Sequence, residues 1–260
     1  LVKRLAALAA LAVVALAPAA RANSRLPAAN QLVVAPDDPS SLLLRTTFGF
    51  LFSHDAGKTW DWLCESAIPA AGQQDPAVAL LAGGVVTSAQ QVEGLAQSPD
   101  RGCSWSFVAK KSAIDVARSP DGLTAIAVTN VYASTDAGTL LYDTQMLETT
   151  NAGKSWSPLS GAIDPTLVID TIDLAPSNSQ RMYVTGHVYQ TPNGTMLVSS
   201  DGGQSWLARA IPFTTGETNA FIAAVDPTNA DVVYARRLGT SSTTEQFSRL
   251  LVTKDAGQTW

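Results

Sequence analysis

The sequence predicts an all-β chain in which four-stranded antiparallel sheets repeat around a common centre, and three observations carry that prediction. An eight-residue pattern recurs five times at near-constant spacing. Short alternating or apolar segments lie between the copies in the same order each time. Beyond the N-terminal leader, no stretch shows the 3.6-residue apolar period of a helix.

The repeated pattern is Ser/Thr-x-Asp-x-Gly-x-Ser/Thr-Trp. Its copies are Ser53–Trp60, Ser98–Trp105, Thr149–Trp156, Ser199–Trp206 and Thr253–Trp260, with Asn151 in the acidic position of the third. From acidic position to acidic position the spacings are 45, 51, 50 and 54 residues. A carboxylate or amide at the third position (Asp55, Asp100, Asn151, Asp201, Asp255) can accept hydrogen bonds from the backbone N–H groups that follow it and so hold a tight turn. Glycine at the fifth (Gly57, Gly102, Gly153, Gly203, Gly257) supplies a positive φ without a Cβ clash. Flanking hydroxyls can close the turn from either side. Tryptophan at the eighth (Trp60, Trp105, Trp156, Trp206, Trp260) starts the next strand with a large apolar face for a neighbouring sheet. Because Asn151 keeps the acceptor and drops the charge, the job is hydrogen bonding.

Between the octets the first unit reads as strands at 31–35, 41–46, 49–53 and 61–65, and the second repeats the order at 77–81, 85–88, 94–98 and 106–110. Corners such as Pro36-Asp-Asp-Pro39, Pro176-Ser-Asn178 and Pro227-Thr-Asn229 separate first from second strands. Four strands per repeat is the pattern of propeller blades, expected at about 31–68, 75–111, 112–162, 167–212 and 219–260. The fifth lacks a strand. An open sheet edge leaves backbone groups unpaired, so a continuation beyond Trp260 is expected to complete the ring.

The octets resemble Asp-box repeats, also called bacterial neuraminidase repeats. Octet and corner together resemble those of secreted Asp-box propellers of sortilin-like, xyloglucanase-like, sialidase-like and photosystem-assembly-factor-like types. The resemblance covers roughly residues 31–260. It implies the fold and places the octets on the rim away from the ligand face, which makes their residues structural. It does not specify an activity, since one propeller scaffold carries unrelated functions.

Composition bounds the function. With 46% hydrophobic and 15% charged residues the chain is globular. Lys3 and Arg4, an apolar run from Leu5 to Leu16 and Ala20-Arg21-Ala22 read as a signal peptide over 1–22, which predicts an exported protein. The run is too short to span a membrane, and no later segment is longer. Removing the leader leaves 14 basic against 22 acidic residues, a net charge of −8, which argues against nucleic acid or anionic membrane as partner. Cys64 and Cys103 are the only cysteines, and an exported chain would join them as a disulfide between the first two blades, with two free thiols as the alternative.

Candidate chemistry is sparse. The resemblance to sialidases would require an arginine cluster opened by an Arg-Ile-Pro motif; Arg25-Leu26-Pro27 nearly matches it, against the plain reading of a surface residue. Five of six tryptophans belong to octets, which argues against a tryptophan-lined glycan cleft, although tyrosines remain. His54 and His187 have no ligand spacing around them, and no metal or other cofactor is expected. Asp37-Asp38 reads as a hydrogen-bonded turn before it reads as a Ca²⁺ site. Asn193-Gly-Thr195 reads as a tight turn before a glycosylation sequon. The loops between second and third strands, opposite the octets, lengthen along the chain from Phe48-Gly49 to 89–93, 132–139, 187–195 and 238–247. Long loops on one face carry recognition, so a ligand face is expected at Tyr132, Asp136, His187, Tyr189, Arg236, Arg237 and Glu245, for a protein or glycan. The expected function is a non-enzymatic binding or scaffold propeller, with a sialidase-like glycoside hydrolase and a protein-complex assembly factor as alternatives.

Overall fold

The computed structural model describes residues 26–69, 75–191, 193–240 and 245–260. They form a five-bladed all-β propeller. Blade 1 contains β1 (Ala29–Val34), β2 (Leu42–Thr46), β3 (Gly49–Ser53) and β4 (Asp61–Cys64). Blade 2 contains β5 (Ala77–Leu80), β6 (Val86–Gln90), β7 (Gly94–Ser98) and β8 (Ser106–Ala109). Blade 3 contains β9 (Ala113–Arg118), β10 (Ala125–Asp136), β11 (Thr139–Thr149) and the short β12 (Ser157–Pro158). Blade 4 contains β13 (Leu167–Leu174), β14 (Met182–Val188), β15 (Gly194–Ser199) and β16 (Leu207–Ile211). Blade 5 has three strands, β17 (Glu217–Val225), β18 (Val233–Thr240) and β19 (Gln246–Thr253). Every sheet is an antiparallel meander. Among the described residues no helix is long and apolar enough to cross a membrane.

The first strands of the blades stand side by side, β1 against β5, β5 against β9, β9 against β13 and β13 against β17. Polar side chains staple three of these seams. Gln31 Oε1 accepts the Val78 amide at 3.1 Å while its Nε2 donates to Val78 O at 2.9 Å. Asp115 Oδ2 accepts the Ile172 amide at 3.0 Å, and Thr171 Oγ1 the Ile222 amide at 2.9 Å. Each of these side chains satisfies a backbone amide that a twisted sheet leaves unpaired at its inner edge, and Gln31 satisfies the Val78 carbonyl as well.

Alternation gives each blade two apolar faces, and the cores lie between blades. Leu43, Phe50 and Phe52 meet Val78, Leu80 and Val86; Leu81 and Leu95 meet Val116 and Ala127; Ile126 and Met146 meet Ile169 and Met182; Met196 and Ile211 meet Ala220 and Val233. β17 and β1 do not pack on each other in this way. The outward face of blade 1 consequently carries Leu32, Leu44, Leu51 and Trp62 in cross-strand register, with Leu32 and Trp62 largely exposed.

The octets share one geometry. In the fourth, Ser199 Oγ donates to Asp201 Oδ1 and accepts the Gly203 amide, both at 2.8 Å. Asp201 Oδ1 also accepts the Ser205 amide at 2.9 Å, and Oδ2 accepts Ser205 Oγ at 2.6 Å. Asp55, Asp100 and Asp255 repeat these bonds, and Asn151 makes them with its amide donating to Ser155 Oγ. The side-chain hydroxyl of the partner Ser or Thr, followed by its amide, holds the Asp55, Asp201 and Asp255 carboxyls at about 2 and lowers that of Asp100. Glycine at the fifth position has the expected positive φ, and the fourth position is left-handed as well. There Ala56, Arg101, Ala152 and Ala256 sit at φ between 53° and 58°, which sequence reading did not assign because these residue types do not advertise it.

Each octet tryptophan after the first packs on the core shared with the preceding blade: Trp105 with the first two blades, Trp156 with the second and third, Trp206 with the third and fourth, Trp260 with the fourth and fifth. Trp60 has no such core and is 37% exposed.

Two expectations need correction. Cys64 and Cys103 are both free. Leu63 points into the core between blades 1 and 2, so the next side chain on β4, Cys64, points away from blade 2. Asn193-Gly194 is not the left-handed turn pair either; Gln190 takes φ 60° and Gly194 begins β15.

Candidate functional site

At the end of the blades opposite the octets, the longest strands extend past the body. The segment 132–139 is not a loop. β10 and β11 pair as far as Asp136 and Thr139 across a two-residue turn, Ala137-Gly138, whose φ values of 45° and 87° suit a tight hairpin. This hairpin places Tyr132 against Tyr142, ring centroids 6.4 Å apart and nearly perpendicular. Burial, then the neighbouring phenols of Tyr189 and Tyr132, push the Tyr142 hydroxyl pKa up. Tyr189 follows β14, so two adjacent blades gather three tyrosines, of which Tyr132 and Tyr189 are more than half exposed.

Beside them lies a pocket of about 400 Å³ lined by His187, Tyr189, Gln190, Thr191, Glu217 and Thr218. His187 Nδ1 lies 3.1 Å from Asp170 Oδ2, and Asn219 Nδ2 donates to Asp170 Oδ1 at 2.8 Å. A carboxylate oxygen accepts, so His187 donates through Nδ1. Asp170 is on β13, His187 on β14 and Asn219 on β17, a trio 49 residues apart at its widest. No local spacing reveals it.

Glu217, buried at the start of β17, forms the pocket floor. Its Oε2 accepts the Thr214 amide at 2.7 Å and Arg237 Nη1 at 2.8 Å. Its Oε1 has no hydrogen-bond donor. Arg249 Nη1 is 3.6 Å from that oxygen but donates to Thr214 Oγ1 at 2.9 Å, its guanidinium 5.0 Å from the Phe247 ring centroid. Sequence reading missed Glu217, Asp170 and Asn219; Glu217 precedes the loop taken as the ligand face.

The other expected residues divide. Arg237 also donates to Pro212 O and belongs beneath this pocket. Arg236, its neighbour, points to the opposite face and lines a different cavity. Asp136 stands exposed at the hairpin tip, and Glu245 is exposed just before β19. His54 is exposed on the octet side, near Ser41 Oγ and Arg101 Nη1. Arg25 lies outside the described residues. Asp38 is satisfied by Ser40 and Ser41, and among the described residues no cluster of three metal-ligating side chains occurs.

The second cavity, about 760 Å³, is the centre of the propeller, lined by the first strands of all five blades with Arg45, Asp115, Arg118, Asp173 and Arg236 in its wall. The cavity leaves Asp115 and Asp173 partly exposed, yet the surrounding protein desolvates them. Burial pushes their carboxyl pKa values up to about 7 and about 6, against backbone hydrogen bonds from Ile172 and Val116 to the first and from Leu174 to the second.

No protein-family description matches the chain, and no curated protein matches it by sequence. Solved structures do. The chain is similar to the GH74 enzyme of Niastella koreensis, with TM-score 0.61 and 14% identity over 89% of this chain and 37% of that one. It is similar to hydrazine synthase of Kuenenia stuttgartiensis, with TM-score 0.59 and 11% identity over 92% and 66%. YCF48 bound to D1 peptide matches at TM-score 0.51 and 17% identity over 90% and 66%. The chain thus spans well under half of the glycoside hydrolase. At these identities the likeness shows the fold: all three share its propeller architecture.

Proposed function

We propose that this chain is an exported, non-enzymatic binding propeller, with Asp-box octets as its structural rim and its ligand on the opposite face. The observation that carries the reading is the convergence of Tyr132, Tyr142 and Tyr189 beside the His187 and Glu217 pocket. Exposed aromatic rings beside a few fixed polar groups are what a binding surface needs, and the tyrosines have no packing role that demands their exposure. The test is capture of polysaccharides and of exported proteins by immobilised chain, compared with Tyr132→Ala/Tyr189→Ala and with a hairpin cut back from 134–139 to a two-residue turn. Both variants should keep the melting temperature and lose capture. Capture that survives both places the ligand elsewhere, and release of products from a captured glycan would make the chain an enzyme.

One observation favours a hydrolase as second reading. Asp115 and Asp173 border the central cavity with carboxyls raised toward neutrality, as a general acid requires. Both oxygens of Asp115 already accept backbone amides, so Asp173 is the one to test. Glycoside hydrolysis abolished by Asp173→Asn would promote this reading over ours.

A further inference from the structure

The blades repeat, so a residue that departs from its counterparts stands out. Three departures meet at the seam between blades 4 and 5, on the octet end and so away from the tyrosines. In the fourth strands, the residue facing the position three before each octet is Leu63, Ala109, Leu159 and then Arg209. The residue just ahead of each second strand, whose carbonyl accepts an amide just past the first strand, is Ser41, Val85, Thr124, Arg181 and Val232. The second octet position is His54, Pro99, Thr150, Ser200 and Lys254. Arg or Lys stands at these positions nowhere else, and all three cations line one pocket of about 350 Å³, together with Ser200, Asp231 and Asp255.

The carboxylates in the wall leave two of the cations unanswered. Asp231 is ion-paired with Arg181 Nη2 at 3.0 Å. Asp255 turns both oxygens into its own octet, where they accept the Thr259 amide and the Thr253 and Thr259 hydroxyls. Arg209 makes no hydrogen bond and no ion pair among the described residues, and its Nε is buried without an acceptor. Lys254 has no carboxylate partner among them either. A half-buried guanidinium left unpaired is costly, and leucine at the same place in blades 1 and 3 shows that a seam closes without it. In a chain of net charge −5 this is a local surplus, not part of a generally basic surface.

A ligand that answers it must bring negative charge and acceptors. Arg209 comes from β16, Lys254 from the fifth octet and the Ser200 hydroxyl from the fourth, so the donors reach the pocket from separate elements. A carboxylate has two oxygens in one plane, which a single guanidinium fork satisfies. A phosphate or sulfate ester presents three terminal oxygens in a tetrahedral spread, one for each donor group.

We infer that the pocket between Arg209, Lys254 and Ser200 binds a tetrahedral oxyanion, the phosphate or sulfate ester group of a ligand. This site is separate from the tyrosine face and stands or falls without it.

Arginine labelled with ¹⁵N gives one Nε–Hε signal per side chain, and the signal missing from Arg209→Leu belongs to Arg209. Titrating the full chain with methyl phosphate or methyl sulfate should shift that signal, saturating in the millimolar range expected for one small charged group. Sodium chloride at equal ionic strength should leave it in place. Arg209→Leu restores the residue of blades 1 and 3, so it should melt no lower than the parent. Its affinity for the esters, followed on the backbone amides of 254–258, should fall about tenfold or more, the loss expected of a charge-assisted pair. Lys254→Ser, the residue of the fourth octet, should weaken binding less, and Arg209→Lys should retain part of it. Whichever ester binds more tightly identifies the group that the natural ligand carries. A chloride response equal to that of the esters would mean an adventitious ion only. Acetate binding as tightly as methyl phosphate would make this a carboxylate site, and undiminished affinity in Arg209→Leu, or no saturable shift, would remove the site altogether.

Discussion

Asn151 and Asp201 close the same turn with different consequences for acid. Asp55, Asp201 and Asp255 have carboxyls held at about 2 by neighbouring hydroxyls and amides, against about 3.9 in an unfolded chain. A folded pKa below the unfolded one means that the folded state binds the proton less readily. The stabilisation is therefore complete above about pH 4 and drains away as pH falls toward 2. The Asn151 turn has no proton to take up. Asp201→Asn should thus leave the melting temperature near neutral pH almost unchanged and reduce its fall between pH 4 and 2, whereas Asp201→Ala should lower it at every pH. Thermal melts across that range decide the matter, and equal acid sensitivity in Asp201→Asn and the parent would show that the octet carboxylates are not what acid attacks. Octet hydrogen bonding was legible in the sequence because donor, acceptor and glycine fall within seven residues. The left-handed fourth position was not, since Ala and Arg reach it only because the turn's other bonds hold them there.

Among elements, the strand-opening tryptophans fasten each blade to the one before. Trp156 rests on the core of blades 2 and 3, and its Nε1 donates to Gln97 Oε1 of blade 2 at 2.9 Å. Trp156→Ala should cost about 3 kcal/mol in urea unfolding, the lower end for a large aromatic because the ring is half-buried. Trp60→Ala, with no preceding core, should cost less than about 1 kcal/mol. Similar losses at both sites would mean that the indoles stabilise their own turns and not the seam between blades. Strand edges read from alternation and turn residues differ by a residue or two from those observed in blades 1 and 2. The β10–β11 hairpin was read as a loop because its residues beyond Tyr132 are small and polar; strand pairing there rests on backbone bonds and an Ala137-Gly138 turn, neither of which leaves an apolar signature. The same limit hid the Asp170, His187 and Asn219 trio, whose members meet only when three strands from two blades align.

At the scale of the whole molecule, radial repetition turns the inner strands toward one another and so concentrates polar side chains around a shared cavity. Such a centre holds carboxyls where they are hard to hydrate, and Asp115, which staples a seam, and Asp173, which binds the Leu174 amide of its own strand, bear the cost, with carboxyls raised to about 7 and about 6. Here the sign is opposite to that of the octets. A folded pKa above the unfolded value means that stability is full below about pH 4 and is lost as pH climbs through the folded value, when two desolvated charges form beside each other. Rim and centre therefore pull in opposite directions, and the propeller should be most stable in mildly acidic solution, near pH 4 to 5, rather than at neutrality. Asp173→Asn keeps an acceptor for the Leu174 amide and removes the charge, so it should nearly match the parent at pH 4 and exceed it at pH 8 by at most about 3 kcal/mol, the figure set by the rise of the carboxyl from 3.8 to about 6. Denaturant melts at the two pH values measure this directly. A variant no more stable than the parent at pH 8 would mean that water in the central cavity hydrates Asp173 well enough to ionise it without penalty.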